Sequence, residues 1–277
     1  MRLMAALGFL AVLSSTTPAH AQMDRPPSLP TPAGVFLEDL TWVELRDAIA
    51  AGKTTVIIPT GGTEQNGPIM TLGKHNYLVR YKAGEIARML GNAIVAPVMA
   101  YVPEGEIPGA KPAAGHMRFP GTITTPQDAY EKVLEYAARS LRSAGFLDIA
   151  MIGDSGGNQA GQKAVSEMLN KEWAGTSVRV HHVTDYYPGR GDAIAAANGM
   201  SQEAIGSHAG SQDTTSLLYI NPGMLRVDKF TLGKANDGQG HVGDPRRSTA
   251  AIGKLILEAQ VEDAANQIKR LRVSSRQ

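Results

Sequence analysis

Short apolar runs alternate with longer amphipathic segments along most of this chain. The run at 54–60 is typical of a strand buried on both faces, 93–98 predicts another buried strand, and 147–153 predicts a third. A further strand at 177–183 completes the alternation. Between and after them, helical periodicity marks about 41–52, 78–90, 127–143, 159–172 and 248–270. Thr41 and Glu44 predict a capping box at the first helix, and Gly52 predicts its end. This alternation predicts an α/β fold, layered α/β/α around a mostly parallel central sheet.

The amino terminus carries a different pattern. Arg2 precedes an apolar stretch at 3–13 that is too short to span a bilayer, and Ala19 and Ala21 fit a small-x-small cleavage site. We therefore expect a signal peptide at 1–21, a proline-rich arm at 22–36 and a single α/β domain at 37–277. The mature protein is expected in the periplasm or secreted, and no later run predicts a membrane segment.

Composition narrows the classes of function. The formal net charge of +1 gives no reason to expect nucleic acid as a partner, and aromatic residues make up only 5% of the 277 residues. The absence of cysteine excludes disulfides, thiolate metal sites and cysteine nucleophiles. These features are those of an ordinary globular protein without a nucleic-acid partner.

Polar, glycine-rich segments follow the predicted strands, where parallel α/β sheets bind ligands. The segment 60–75 follows the first strand and 153–158, GDSGGN, follows the third, while 115–122 and 206–216 are further polar clusters. We expect these segments to line one cleft beyond the carboxyl ends of the strands.

These segments also resemble a known family. TGGTEQNGPIMTLGKH at 60–75 resembles the creatininase pattern G-S-T-E-Q-H-G-P-H-L-P-L-G-T-D, and HMRFPGTIT resembles H-x-x-F-P-G-T-I-S. GDSGGN stands where the family has N-G-H-G-G-N, GSHAGSQDTTS resembles H-A-G-x-x-E-T-S, and GHVGDP resembles G-V-x-G-D-P. The matches keep the family order and cover about residues 40–258.

The resemblance implies hydrolysis of a non-peptide C–N bond, ring-like homo-oligomers and two divalent ions, commonly zinc or manganese. Carried over position by position, the first carboxylate ligand is kept as Glu64 and a histidine implicated in the chemistry is kept as His208. The other family ligands are replaced. Two histidines become Asn66 and Ser155, the bridging aspartate becomes His75, and a glutamate becomes Asp213.

The replacements predict an altered or lost dinuclear site. A neutral imidazole at His75 offers one lone pair and cannot bridge two ions, while Asn66 and Ser155 are weak ligands for zinc or manganese. The sequence leaves two alternatives: no metal, or one zinc or manganese ion on Glu64 and His75 with Asp154 or Asp213 as a third ligand.

We therefore expect an exported creatininase-like hydrolase or lyase that acts at a C–N bond of a small polar molecule. Glu64 is the candidate general base, His75 a second acid or base, and His208 the proton donor to the leaving group. Candidate substrate-binding residues are Asn66, His116, Asp154, Ser155, Gly156, Gly157 and Asp213.

Three alternatives stay open. Each candidate side chain has an ordinary structural role available to it, and the chain could be an exported binding protein that keeps the pocket without the chemistry. Ser155 could also be a nucleophile at a strand-to-helix turn, with His208 or His75 as its base. GDSGG also surrounds the nucleophile of chymotrypsin-like proteases, but their all-β fold does not match this strand–helix alternation.

Overall fold

The computed structural model describes residues 34–109, 114–232 and 238–274. The predicted signal peptide and nearly all of the proline-rich arm lie outside these ranges, so both stay predictions. Within the described ranges, no helix combines the length and the apolar character needed to cross a membrane.

The sheet has four parallel strands in the order β2-β1-β3-β4. The strands are β1 (Thr55–Thr60), β2 (Ala93–Val95), β3 (Asp148–Gly153) and β4 (Arg179–His182). Thr55 is in register with Ala93 on one side and with Asp148 on the other. Every residue of β1, β2 and β3 is buried, as the continuous apolar runs predict.

Helices cover both faces of this sheet. They are α1 (Trp42–Ala50), α2 (Lys74–Leu90), α3 (Gln127–Ala144), α4 (Gly156–Glu172), α5 (Gly191–Ala197), α6 (Gln202–Ile205), α7 (Ser211–Ile220) and α8 (Ala250–Ser274). Short 3-10 helices lie at Leu37–Asp39, Gly115–Arg118, Thr184–Tyr186, Pro222–Met224 and Val227–Leu232. The predicted capping box at Thr41 and Glu44 is confirmed.

Two apolar cores show why the layers form. Alternate side chains of a strand point to opposite faces, so Ile57 of β1 packs with Val79 of α2 and Ile268 of α8 on one face. Ile58 packs with Leu134 of α3 on the other face. This arrangement confirms the predicted α/β/α layers.

Two helices begin earlier than the periodicity predicts, and both differences place site residues on helices. Helix α2 begins at Lys74 rather than 78, which puts His75 in its first turn. Helix α4 begins at Gly156 rather than 159. Gly157 in its first turn serves close packing, because a Cβ there would lie 2.0 Å from the carbonyl oxygen of Pro103.

Candidate active site

A cavity of about 530 Å³ opens beyond the carboxyl ends of β1 and β3, where the fold places ligands. We call it the main cavity. Its lining comes from the loop after β1, the first turns of α2 and α4, and three further loops. The residues lining it are Glu64, His75, Pro103, Glu104, Gly105, His116, Gln127, Ser155, Gly156, Gly157, Ala160, Tyr187, Ser207 and His208.

A chain of buried hydrogen bonds runs behind this wall. His75 Nε2 lies 2.8 Å from Glu64 Oε1, and His75 Nδ1 lies 2.9 Å from Asp154 Oδ2. Burial and the Lys74 ammonium act to lower the pKa of His75, but the hydrogen bonds to Asp154 and Glu64 outweigh them and raise it to about 9. His75 is therefore an imidazolium at neutral pH, held between two carboxylates.

Nitrogen atoms of four side chains surround the Glu64 carboxylate. Lys74 Nζ lies 3.3 Å from its Oε1, as His208 Nδ1 does at 3.4 Å, and His116 Nε2 lies 3.4 Å from Oε2. Burial alone would raise the pKa of Glu64, but Lys74, His208 and His75 outweigh it and hold the pKa far below its usual range. Glu64 is thus permanently ionised and a weak base.

Two buried lysines complete the charge network. Lys74 Nζ lies 2.5 Å from Asp213 Oδ2, and Lys82 Nζ lies 2.5 Å from Asp154 Oδ1. Burial opposes the charge on Lys74, yet Asp213 and Glu64 raise the pKa of Lys74 above its usual value. The three carboxylates therefore face three cations, the two lysines and the His75 imidazolium.

His116 and His208 form the polar face of the main cavity. Their ring centroids lie 4.1 Å apart with planes at 81°. Burial lowers the pKa of His116. Gln65 Oε1 accepts from the N–H of Gly67, so its Nε2 donates to the carbonyl of Gly240 at 2.7 Å and faces His116 Nδ1 at 3.3 Å. This network assigns the acceptor role to His116 Nδ1 and leaves the proton on Nε2, toward Glu64.

Ser155 is hydrogen-bonded to the carboxylate of Glu104, a residue that the sequence analysis does not identify. Its Oγ donates to Glu104 Oε2 across 3.0 Å, and both side chains are buried. Burial and the neighbouring charge of Glu64 raise the pKa of Glu104 to about 7. Glu104 lies between β2 and α3, where no local pattern marks it, and Ser155 is 51 residues away along the chain.

The other predicted residues take separate positions. Asp154 and Asp213 line a neighbouring cavity of about 200 Å³, which shares His75, Tyr187 and Ser207 with the main cavity. Asn66 is buried behind the main cavity and donates from Nδ2 to the backbone carbonyl of Glu64. The lining residues from four predicted polar segments therefore converge, whereas Asn66 supports the loop that carries Glu64.

Comparison with known proteins now identifies the family. A family model described as creatininase, creatinine amidohydrolase, matches residues 38–268. This chain belongs to the creatininase family of hydrolases. The mycofactocin precursor peptide peptidase of Mycolicibacterium smegmatis is 28% identical over 237 residues, covering 78% of this chain and 84% of that protein.

Solved structures of the family share the fold. A crystal structure of creatinine amidohydrolase aligns with a TM-score of 0.69 and 20% identity, covering 86% of this chain and 98% of that one. The manganese form of creatininase aligns with a TM-score of 0.68 and 22% identity, covering 86% and 98%. These matches confirm the creatininase-like fold.

The family resemblance implies bound zinc or manganese, so the side chains of the main cavity can be compared with the ligands that such an ion needs. Glu64, His116 and His208 each offer a ligand atom within 4.8 Å of the others, and one carboxylate with two imidazoles is a usual zinc set. However, the buried network is already charge-balanced by Lys74, Lys82 and His75, and the proton on His116 Nε2 occupies the position a ligand lone pair would need.

The other candidate ligands are also engaged. Both ring nitrogens of His75 lie against carboxylates, Asp213 is paired with Lys74, and the remaining family positions carry an amide and a hydroxyl. The predicted single-ion pair of Glu64 and His75 would therefore have to break these contacts. In this arrangement the residues present do not fit a divalent ion.

Proposed function

We propose that this chain hydrolyses an amide-type C–N bond in a small polar molecule, without a divalent ion. The observation that supports it is the convergence, around one cavity, of His208, His116 and the start of α4 in front of a fully ionised buried network. A cavity of about 530 Å³ suits a small substrate. The family's relatives carry names of hydrolases, which favours hydrolysis over elimination.

Each group has a chemical task in this proposal. The first-turn amides of Gly156 and Gly157 and the positive end of α4 stabilise the oxyanion that forms on the substrate carbonyl. His208 gives a proton to the leaving amine. Glu64 has too low a pKa to act as an efficient base, so it instead holds the imidazoles of His75, His116 and His208 in place.

Release of amine or ammonia from a panel of small amides tests this proposal. The panel contains creatinine, linear and cyclic amides and short peptides, with protein prepared in chelator. We expect turnover of a small polar amide, with creatinine itself a poor substrate, and loss of turnover in His208→Ala. His182→Gln is the matched control, because His182 bonds to Gln159 outside the main cavity.

Two outcomes would redirect the proposal. Turnover confined to peptides would assign this chain the substrate class named for the mycobacterial relative. Binding of panel compounds without any turnover would favour the exported binding protein.

We also propose export to the periplasm or the medium, on the strength of Arg2, the apolar stretch at 3–13 and the Ala19-x-Ala21 site. Mass spectrometry of the protein from its native source should find a chain that begins near Gln22. An intact Met1 on the mature protein would contradict export. We also expect a homo-oligomer, and light scattering would test this by measuring the mass of the protein in solution.

A further inference from the structure

Hydrolysis of an amide needs a nucleophile that attacks the carbonyl carbon. Ser155 lies on the wall of the main cavity at the junction of β3 and the 17-residue helix α4. Its hydroxyl donates to Glu104 Oε2 across 3.0 Å. A serine hydroxyl bonded to a carboxylate at the start of a long helix is one arrangement that supports nucleophilic acyl transfer.

Glu104 is an unusual carboxylate in this site. Its side chain is at least nine-tenths buried, and no Lys, Arg or His among the described residues lies within ion-pair distance of it. Its other oxygen, Oε1, lies against Gly62 and has no hydrogen-bond partner in the described part of the chain. A buried carboxylate whose only side-chain donor is a hydroxyl is poorly stabilised as an anion, and so it readily accepts a proton.

Glu64 is also buried, but its partners are different. It receives contacts from Lys74, His75, His116 and His208, so its charge is stabilised many times over. The two carboxylates that line the main cavity therefore have different tasks: one is a fixed anion and the other is available for proton transfer.

We infer that Ser155 is the nucleophile of this hydrolase and that Glu104 is its general base. This inference rests on the proposed function, because it names the group that attacks the amide carbon. It assigns a covalent route to a site whose family resemblance implies metal-bound water, and it uses a serine that stands where the family pattern has a histidine.

Ser155 Oγ bonds to the carbonyl carbon while its proton passes to Glu104 Oε2, and the carbonyl electrons form an oxyanion held at the start of α4. The oxyanion collapses, the C–N bond breaks, and the leaving amine takes a proton from His208. Water then attacks the resulting ester and gives one proton to His208, which restores it. When this second oxyanion collapses, the Ser155–acyl bond breaks, Oγ takes back the proton held on Glu104, and the acid is released.

Labelling with an alkyl fluorophosphonate tests the nucleophile without knowledge of the substrate. Ser155 Oγ would displace fluoride from phosphorus, and intact mass with peptide mapping would locate the adduct. We expect one label per chain, on Ser155, and none on Ser155→Ala. Glu104→Gln should slow labelling by at least about 100-fold, since a general base contributes about that much or more. Ser140→Ala should label normally, because it removes an exposed serine of α3 that bonds to the carbonyl of Tyr136, outside the main cavity.

Other results would overturn the inference. An unlabelled wild-type chain, under conditions that label a serine hydrolase fully, would remove Ser155 as nucleophile. An undiminished rate in a folded Glu104→Gln variant, checked by thermal melting, would remove Glu104 as base. Amide turnover that depends on His208 but persists in Ser155→Ala would contradict only this inference. Labelling of Ser155 without turnover of any amide would instead contradict the proposed function.

Discussion

Lys74 Nζ lies 2.5 Å from Asp213 Oδ2, and the Lys74 side chain is only 1% exposed. The same ammonium lies 3.3 Å from Glu64. The almost completely buried ammonium of Lys74 thus links the loop after β1, the start of α2 and the start of α7. The positive charge that holds these three segments together is therefore supplied by a lysine side chain.

Removing this charge should be costly. We expect Lys74→Met to lower the free energy of unfolding by about 3–5 kcal/mol, because it leaves Glu64 and Asp213 buried without their shared cation. Urea unfolding followed by circular dichroism measures the change. Lys132→Met is the matched control: Lys132 lies 2.8 Å from Glu135, but on the surface, and its loss should leave stability almost unchanged. Equal effects of the two substitutions would contradict a structural role for Lys74.

His75 should make stability depend on pH in a defined window. Its pKa in the folded protein is raised to about 9 from an ordinary value near 6.5. The folded state therefore holds the proton more tightly, so its contribution to stability is complete below about pH 6.5 and is lost as pH rises through about 9. Glu64, Asp154, Lys74 and Lys82 are the charged groups around it.

Urea unfolding between pH 6.5 and 9.5 measures this effect by comparing wild type with His75→Asn. The wild type should lose stability relative to the variant across the window, because only the wild type carries the titrating imidazole. Parallel curves would show that His75 is neutral in the folded protein.

Gly62 should control the position of Glu104. It has a φ of +152°, and a Cβ there would lie 1.9 Å from Glu104 Oε1. We expect Gly62→Ala to destabilise the protein by more than about 1 kcal/mol and to abolish fluorophosphonate labelling of Ser155, because the carboxylate is displaced. Thermal melting and labelling rates measure the two effects.

Gly175→Ala is the control for this substitution. Nothing lies within 4 Å of a Cβ at Gly175, so both stability and labelling should be preserved. Normal labelling in a folded Gly62→Ala variant would show that Ser155 reacts without Glu104 at its observed position.

The sequence predicts those parts of the molecule that are encoded locally. The apolar runs predict β1, β2 and β3, because strands buried on both faces must be apolar throughout. The fourth strand, β4, is predicted from its place in the strand–helix alternation. The family resemblance predicts that Glu64, His75 and His208 share one site, because the motifs that carry them occur in the family order. Lys74 carries one signal in the sequence: it stands directly before His75, where the family pattern has threonine.

Other parts of the site depend on contacts that no local pattern records. Glu104 gains its properties from Ser155, Gly62 and burial, which the fold alone brings together. The pairing of His75 with both Glu64 and Asp154 likewise depends on the packing of α2 against the end of β3. From the sequence alone, His75 is expected to act as an acid, a base or a metal ligand. In the structure it is a buried cation between two carboxylates.

The buried ion pairs of Lys74 and Lys82 also predict which substitutions would allow this chain to bind metal. Protein purified without chelator should contain less than one zinc or manganese ion per chain, because the buried carboxylates already have cations. Restoring family ligands by Asn66→His, His75→Asp and Ser155→His should not be sufficient. The Lys74 ammonium would still lie between Glu64 and Asp213, where it opposes a divalent charge.

Adding Lys74→Thr, the residue in the family pattern, should raise occupancy toward two ions per chain, since it frees both carboxylates and removes the opposing charge. Elemental analysis of wild type, triple and quadruple variants after identical loading measures the difference. Lys132→Thr added to the triple variant is the control, because it removes a lysine far from the site. Two tightly bound ions in the wild type would show that the buried cations yield to metal. Equal occupancy in the triple and quadruple variants would show that Lys74 does not determine metal binding.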